Sequence, residues 1–333
     1  MDKKKTQFVI LISLIFLFVL TVVSLAIGQY QISTREIFSL IFTNNVKPLT
    51  KSVFLNLRLP RVLMALISGA GLSLAGAIYQ TIFHNQLASP DIIGVSSGAN
   101  LGAAVFITIL SSSIIPTALG AFIGALLSVL LVLLLVKGTR ESNTSTYVLA
   151  GIVISSAAKT GIMLLKYFAD SESELAAIEY WTMGSLSSIT ATKLLYIAPF
   201  SIISIVILLI FNRQIQLLSL SDDEALSLGV NLKVIRMIIL FVSTLLVSSI
   251  VSITGLISFI GLISPHIAYL VLKRKNKSYL VLSMITGALL LVLSDILART
   301  ISSSEIPISI LTTIMGLPVL IALMLRKKGE RDE

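Results

Sequence analysis

The residues best suited to recognition chemistry are arginines at the ends of apolar runs. Arg58 and Arg61 bracket Leu59-Pro60 where one such run begins, and Arg299 lies where another ends. A guanidinium group is a planar fork that can bind a carboxylate through two hydrogen bonds. Asp295 precedes Arg299 by one helical turn, so these two side chains can pair with each other. The arginines therefore indicate carboxylate binding, either on a partner or within the chain.

Residues for catalysis are sparse. The chain has no cysteine, and its two histidines, His84 and His266, lie far apart in sequence. This excludes disulfides, thiolate catalysis and cysteine metal sites, and it argues against a histidine metal cluster. No P-loop motif is present, so ATP hydrolysis is not expected from this chain. We predict a protein that is not an enzyme and that binds no metal or cofactor itself.

The composition is that of an α-helical integral membrane protein. Of 333 residues, 56% are hydrophobic and 12% are charged, and a soluble domain has roughly twice that charged fraction. The apolar runs are continuous and approach the roughly 20 residues that span hydrocarbon. We predict one transmembrane domain, 1–333, with ten spans at about 7–27, 60–83, 92–111, 114–137, 145–168, 193–211, 235–254, 256–272, 279–298 and 306–325.

The basic residues predict the orientation. Segments between successive spans lie on alternating sides of the membrane, and most basic residues lie in the segments of one side. Examples are Lys3, Lys4 and Lys5 before the first apolar run and 273–277 between two later runs. The positive-inside rule then places both termini in the cytoplasm of a bacterial cytoplasmic membrane. We attribute the net charge of +9 to this orientation and predict no nucleic-acid partner. The exception is the basic loop 29–57, where Ser33 or Thr34 could cap a short helix.

Two further segments have a recognisable local pattern. Gly94, Gly98 and Gly102 are spaced by four, which on a helix allows close approach of another backbone. In 212–236, the longest polar loop, Ser221 precedes acidic residues that suit a helix start, and Gly229 suits its end. A short amphipathic helix there would either cover the surface or dock on a partner.

The fifth predicted span carries polar residues. Ser155 and Ser156 form a small, mildly polar run that suits either a pathway for polar cargo or helix packing. Lys166 can reach the outer interface with its flexible side chain. Lys159 lies deeper, and it could face a water-filled path.

Four separated motifs resemble the FecCD family, the permeases of iron–siderophore and vitamin B12 ABC importers. They are LRLPR through GVSSGANLGA (57–103), YWTMGSL (180–186), GLISFIGLISPHIAYLV (255–271), and the last, in 294–318, with SDILAR, EIPISI and MGLP. The resemblance implies a bundle of the type II ABC importer permease. It also implies an importer of an iron–siderophore complex, with cobalamin and haem as alternative cargoes.

The resemblance implies partners and sites as well. The partners are ABC ATPase subunits that hold ATP and Mg, a second permease copy or paralogue, and an extracytoplasmic siderophore-binding lipoprotein or periplasmic protein. Arg58, Arg61 and Arg299 would meet acidic residues of the binding protein. The loop 212–236 would couple to the ATPase through Asp222, Asp223, Glu224, Ala225, Leu226, Leu228 and Gly229.

Two other classes are weighed against this interpretation. A secondary transporter driven by an ion gradient usually has carboxylates within its spans, and here Asp91 and Asp295 lie at a turn and near a span end. A membrane-embedded enzyme would need a catalytic cluster, and none is visible. The sequence leaves open which cargo is imported and whether the permease pairs with itself or with a paralogue.

Overall fold

The computed structural model describes residues 3–28, 30, 32–42, 46–110, 114–139, 144–219, 232–302 and 304–329, and every regular element in these ranges is helical. In chain order the helices are α1 (Lys3–Ala26), α2 (Thr34–Phe42), α3 (Pro48–Val53), α4 (Leu59–Ile82), α5 (Val95–Leu110), α6 (Ile114–Gly138), α7 (Thr144–Phe168), α8 (Glu174–Thr182), α9 (Ala191–Ile210), α10 (Asn212–Leu217), α11 (Leu232–Thr254), α12 (Ile260–Leu272), α13 (Lys277–Thr300) and α14 (Ile308–Gly329).

The described helices include 7 that are long and apolar enough to cross a membrane. They lie in α1, α6, α7, α9, α11, α13 and the continuous helical stretch Pro48–Ile82. Three shorter apolar helices, Val95–Ile109, Ile260–Leu272 and Ile308–Ala322, occupy the positions of the other predicted spans. The chain is therefore a multi-pass helical membrane protein, while the count of ten crossings stays a prediction.

The helix that ends in α4 begins earlier than predicted. The segment 48–57 was expected to belong to the polar loop 29–57, but α3 and a π-helical turn, Phe54–Arg58, continue directly into α4. Pro48 occupies the first turn of α3, where a missing N–H costs nothing. The π-helical turn lies just before Pro60, whose missing N–H interrupts the regular hydrogen-bond pattern. The basic residues of 48–58 therefore lie on a continuous helix rather than in a loop.

The core is built around α4, which is buried along most of its length. It packs against α13, α12, α11 and α9, while α5, α6 and α7 form a neighbouring group. In contrast, α1 is largely exposed and packs mainly against α13. Most of the exposed surface of α1, α6 and α9 consists of large apolar side chains, as expected for helices that face lipid.

The short helix predicted in the loop 29–57 is present as α2. Its start is a reciprocal cap: Glu36 N–H donates to Ser33 Oγ (3.2 Å), and Ser33 N–H donates to Glu36 Oε2 (2.9 Å). This arrangement satisfies two backbone donors that a helix start leaves without partners. The local sequence alone is enough to place this helix.

Candidate functional site

The three predicted arginines meet at one end of the bundle, which we name the arginine end. Arg58 closes the π-helical turn, Arg61 lies in the first turn of α4, and Arg299 lies in the last turn of α13. The end of α1 lies beside them. All three residues are at most 8% exposed.

Arg58 holds the end of α1. Its Nη1 donates to the carbonyl oxygens of Leu25 (2.8 Å) and Ala26 (2.6 Å), and its Nη2 donates to the carbonyl of Tyr30. The last carbonyls of a helix have no partner within the helix and carry partial negative charge. The guanidinium group of Arg58 supplies hydrogen-bond donors to these carbonyls and a positive charge opposite their partial negative charge.

Arg299 binds the same end of α1 from the other side. Its Nη1 donates to the carbonyl of Ile27 (2.9 Å), and its Nη2 donates to the carbonyl (2.7 Å) and hydroxyl (2.6 Å) of Ser24. Two arginines from distant parts of the chain thus fix where α1 ends. Sequence reasoning did not predict this role, because backbone carbonyls have no sequence signature.

Arg61 is part of a buried charge cluster. Its Nε donates to Asp295 Oδ1 and its Nη1 donates to Glu305 Oε1, both at 2.7 Å. Arg299 Nε lies 3.3 Å from Asp295 Oδ2, so the predicted pairing of Asp295 with Arg299 is present. Asp295 is fully buried and serves two arginines at once. The cluster joins α4, α13 and the segment before α14.

The three guanidinium groups are not freely exposed. Each of Arg58, Arg61 and Arg299 already has carbonyl or carboxylate partners within the chain, because helix ends and buried acids converge there. Contact of the three with a binding protein stays a prediction. Exposed positive charge near this end comes instead from Arg35 on α2 and Lys47 before α3.

Three of the sequence motifs meet in space. Ile308 N–H donates to the carbonyl of Gly184 (3.1 Å), and Ser185 N–H donates to the carbonyl of Thr254 (2.7 Å). A Cβ on Gly184 would lie 2.0 Å from the carbonyl oxygen of Leu256, so only glycine fits there. The strings around 184, 255 and 308 are therefore one packed junction.

The non-helical segment before α12 has its backbone satisfied by one serine. Ser309 Oγ donates to the carbonyl of Leu256 (2.7 Å) and accepts from Ser258 N–H (3.2 Å). Irregular backbone at membrane depth is tolerated only where such partners exist or where it lines a cavity. Both conditions hold here.

A cavity of about 170 Å³ lies between α4, α11 and this segment. Ser89, Asp91 and Ser96, from the turn that leads into α5, form a polar part of its wall. Asp91 is exposed even though it lies between helices. The cavity is a small side pocket of the bundle.

The string from Gly94 to Gly98 also fits the pattern G-x-S-x-G of hydrolase nucleophiles. Here Ser96 follows a 3-10 turn, Pro90–Ile93, and not a strand. No histidine lines the adjoining cavity. The local structure therefore does not resemble a nucleophile elbow.

The predicted packing glycines fall into two groups. A Cβ on Gly98 would lie 2.4 Å from the carbonyl oxygen of Gly124, and one on Gly102 would lie 2.0 Å from that of Gly120. These two glycines let α5 and α6 touch backbone to backbone. Gly94 lies outside the helix instead, with a φ of 81° in the turn before α5.

The polar residues of the fifth predicted span lie on α7. Ser155 Oγ is buried beside Gly94 and has no hydrogen-bond partner among the described residues. Ser156 and Lys159 are exposed. Lys166, which was expected to reach the interface alone, pairs with Glu179 of α8 through a 2.6 Å contact.

The predicted coupling residues, Asp222, Asp223, Glu224, Ala225, Leu226, Leu228 and Gly229, lie outside the described residues. The flanking helices are described: α10 ends at Leu217 and α11 begins at Leu232. Within the described ranges, no three residues of the types His, Cys, Asp and Glu gather as a metal site.

Comparison with known proteins decides the family. The sequence matches the FecCD transport family over residues 15–326. The chain belongs to the FecCD family. It is 35% identical to the molybdate import permease MolB of Haemophilus influenzae, over 97% of this chain and 98% of that protein. It is 34% identical to the Fe(3+)-citrate import permease YfmE of Bacillus subtilis, over 97% and 96%.

Two further comparisons concern cargo and fold. The hemin permease HmuU of Yersinia pestis is 32% identical, over 95% of this chain and 96% of that protein. A solved structure described as an inward-facing metal-chelate type ABC transporter has a TM-score of 0.87 and 33% identity, covering 96% of this chain and 99% of that one. This FecCD chain is therefore the permease subunit of an ABC importer, and ATP hydrolysis belongs to a separate subunit.

Proposed function

We propose that this chain moves an iron–siderophore complex across the cytoplasmic membrane. The observation that supports this cargo best is the 34% identity, over 97% of the chain, to a permease named for Fe(3+)-citrate import. A second permease subunit, identical or paralogous, would complete the pathway, and ATPase subunits holding ATP and Mg would drive it. Haem, a corrinoid and molybdate are the competing cargoes. Haem and molybdate compete because permeases named for hemin and for molybdate import match nearly the whole chain.

The arginine end is proposed to face outward. Because α1 and α13 both end there, both begin at the opposite end, where Lys4, Lys5 and Lys277 lie. Basic residues concentrate on the cytoplasmic side of membrane proteins. This orientation would place both termini in the cytoplasm and the arginine end toward the binding protein.

Docking of the binding protein is proposed to use two layers of positive charge. Arg35 and Lys47 are exposed and would attract acidic groups at a distance. Arg58 and Arg299 would act on contact, by exchanging a carbonyl of α1 for a carboxylate of the partner. Arg61 would instead exchange its own carboxylate partner, Asp295 or Glu305. We expect Arg35→Glu with Lys47→Glu to slow association, most strongly at low salt, because exposed charges are screened by salt. Association of the double variant at the wild-type rate at low salt would remove the first layer.

The cargo is tested by purifying the chain from its native membrane with everything that accompanies it. A P-loop ATPase and a binding protein that carries an iron chelate, identified by mass spectrometry, would support the proposal. A binding protein loaded with haem, a corrinoid or molybdate would overturn the cargo and leave the ABC permease assignment intact. A paralogous permease in the complex would show a heterodimer.

A further inference from the structure

Lys159 is a charge that the proposed docking and coupling sites do not use. At 1.5 Å per residue, α7 places it about 22 Å from the first residue of the helix and about 14 Å from the last. The hydrocarbon core of a bilayer is about 30 Å thick. Lys159 therefore lies well inside the membrane, too deep for its side chain to reach either surface with ease.

Its ammonium group has no close partner among the described residues. Lys159 is exposed, and within the described residues it forms neither a hydrogen bond nor an ion pair. It acts electrostatically on the carboxyl of Asp91, but no ion pair within 4.0 Å joins the two. An unpaired ammonium in lipid is strongly unfavourable, and ionisable groups inside membrane proteins usually face a water-filled cavity or a cargo path.

The surface around Lys159 differs from the lipid-facing surfaces of the other helices. Ser156, one turn away, and the neighbouring Thr160 are also exposed. The exposed faces of α6 and α9 at comparable depth consist of apolar side chains such as Leu127 and Ile203. The middle of α7 thus presents a polar patch, bounded along the helix by the exposed apolar side chains of Val153 and Met163.

This patch continues inward toward the cavity described above. Ser155, one turn from Lys159, lies against Gly94, and its buried hydroxyl has no hydrogen-bond partner among the described residues. Gly94 ends the turn that carries Ser89 and Asp91. Polar groups therefore run from the cavity wall to the exposed middle of α7.

We propose that Lys159 lines the translocation path and makes it selective for anions, so that the imported metal chelate carries net negative charge. This inference rests on the proposed function, in which two permease subunits enclose the path. A pair of identical subunits would contribute two ammonium groups. Fixed positive charge in a confined, poorly screened passage favours anions and excludes cations.

The first test exploits the absence of cysteine from the chain. Ser156→Cys places one thiol a helical turn from Lys159. In membrane vesicles that hold the full chain with its ATPase, the labelling rates of an anionic and a cationic methanethiosulfonate are compared. Adding Lys159→Gln should lower the anion-to-cation rate ratio by about tenfold, whereas Lys159→Arg should preserve it.

Two controls separate a local effect from a general one. Lys166→Gln in the same cysteine variant removes an equal charge near the end of α7, where Lys166 pairs with Glu179. It should change the ratio less than about twofold. Leu127→Cys, on the exposed face of α6, should react with neither reagent. The inference is wrong if Ser156→Cys labels only after denaturation, which would show a lipid-facing position, or if Lys159→Gln leaves the ratio unchanged.

The second test concerns the cargo. The importer is reconstituted with its binding protein, and uptake of radioactive iron is compared for an anionic citrate chelate, a neutral trihydroxamate chelate and a cationic one. Since the binding protein governs capture, the comparison is made on kcat. We expect Lys159→Gln to lower kcat for the anionic chelate about tenfold with little change in KM, and to lower kcat for the neutral and cationic chelates less. An equal loss of kcat for the neutral or cationic chelate would overturn the inference. Failure of every iron chelate would overturn the proposed cargo, while the labelling ratio still decides whether the path selects anions.

Discussion

Replacing Asp295 with asparagine should lower the free energy of unfolding by about 3–5 kcal/mol. Asp295 Oδ1 lies 2.7 Å from Arg61 Nε, and Oδ2 lies 3.3 Å from Arg299 Nε. At an effective dielectric constant of about 20, these separations correspond to attractions of about 6 and about 5 kcal/mol. Removal of the charges from water offsets much of this, but the variant still buries Arg299 without its anion and leaves Arg61 with Glu305 alone.

The loss can be measured by unfolding the purified protein with sodium dodecyl sulfate in mixed micelles, followed by helical circular dichroism. Glu179→Gln is the matched control, because it breaks an ion pair of similar length whose two side chains are 28% and 47% exposed. Exposed pairs contribute about 0.2–1 kcal/mol. Similar losses for the two variants, or a loss below about 1 kcal/mol for Asp295→Asn, would refute the buried cluster.

Three further predictions follow from the helix contacts and the proposed coupling. Gly102→Ala should destabilise the protein strongly in the same unfolding assay, since its Cβ would lie 2.0 Å from backbone of α6, whereas Gly138→Ala, with nothing within 4 Å, should not. Leu226→Ala and Gly229→Pro should let ATP hydrolysis continue while uptake falls; normal coupling in both would count against the loop 212–236. The Ser33 hydrogen bonds lower the pKa of Glu36 below 4.5, so the α2 cap should persist above that pH and be lost as the pH falls through the lowered pKa. A drop in the amide protection of α2 at acid pH, measured relative to the intrinsic exchange rate and absent in Glu36→Gln, would show this.

The fold class could be predicted from sequence because it depends on the length of apolar runs. The limits of individual helices could not, because they depend on tertiary contacts. Phe259, with a φ of 68°, delays the start of α12, and Ser309 holds the irregular segment before it. Similarly, the polar residues of 48–58 are typical of a loop, although this segment is helical and continues into α4.

At the candidate site, the sequence identified the arginines but only one of their partners. The pairing of Asp295 with Arg299 follows from helical spacing, so it could be predicted. The sharing of Asp295 with Arg61 joins residues far apart in the chain and needed the structure. A signal was available for the α5–α6 contact, because Gly120 and Gly124 repeat the spacing of Gly98 and Gly102.

The most direct test of the proposed importer is uptake by proteoliposomes that contain this chain with the ATPase that purifies with it, supplied with the loaded binding protein. We predict that an iron–siderophore complex accumulates only when ATP is present on the ATPase side. Accumulation driven by an ion gradient without the ATPase would contradict the mechanism, and ATP-driven uptake of haem, a corrinoid or molybdate in place of the iron chelate would contradict the cargo.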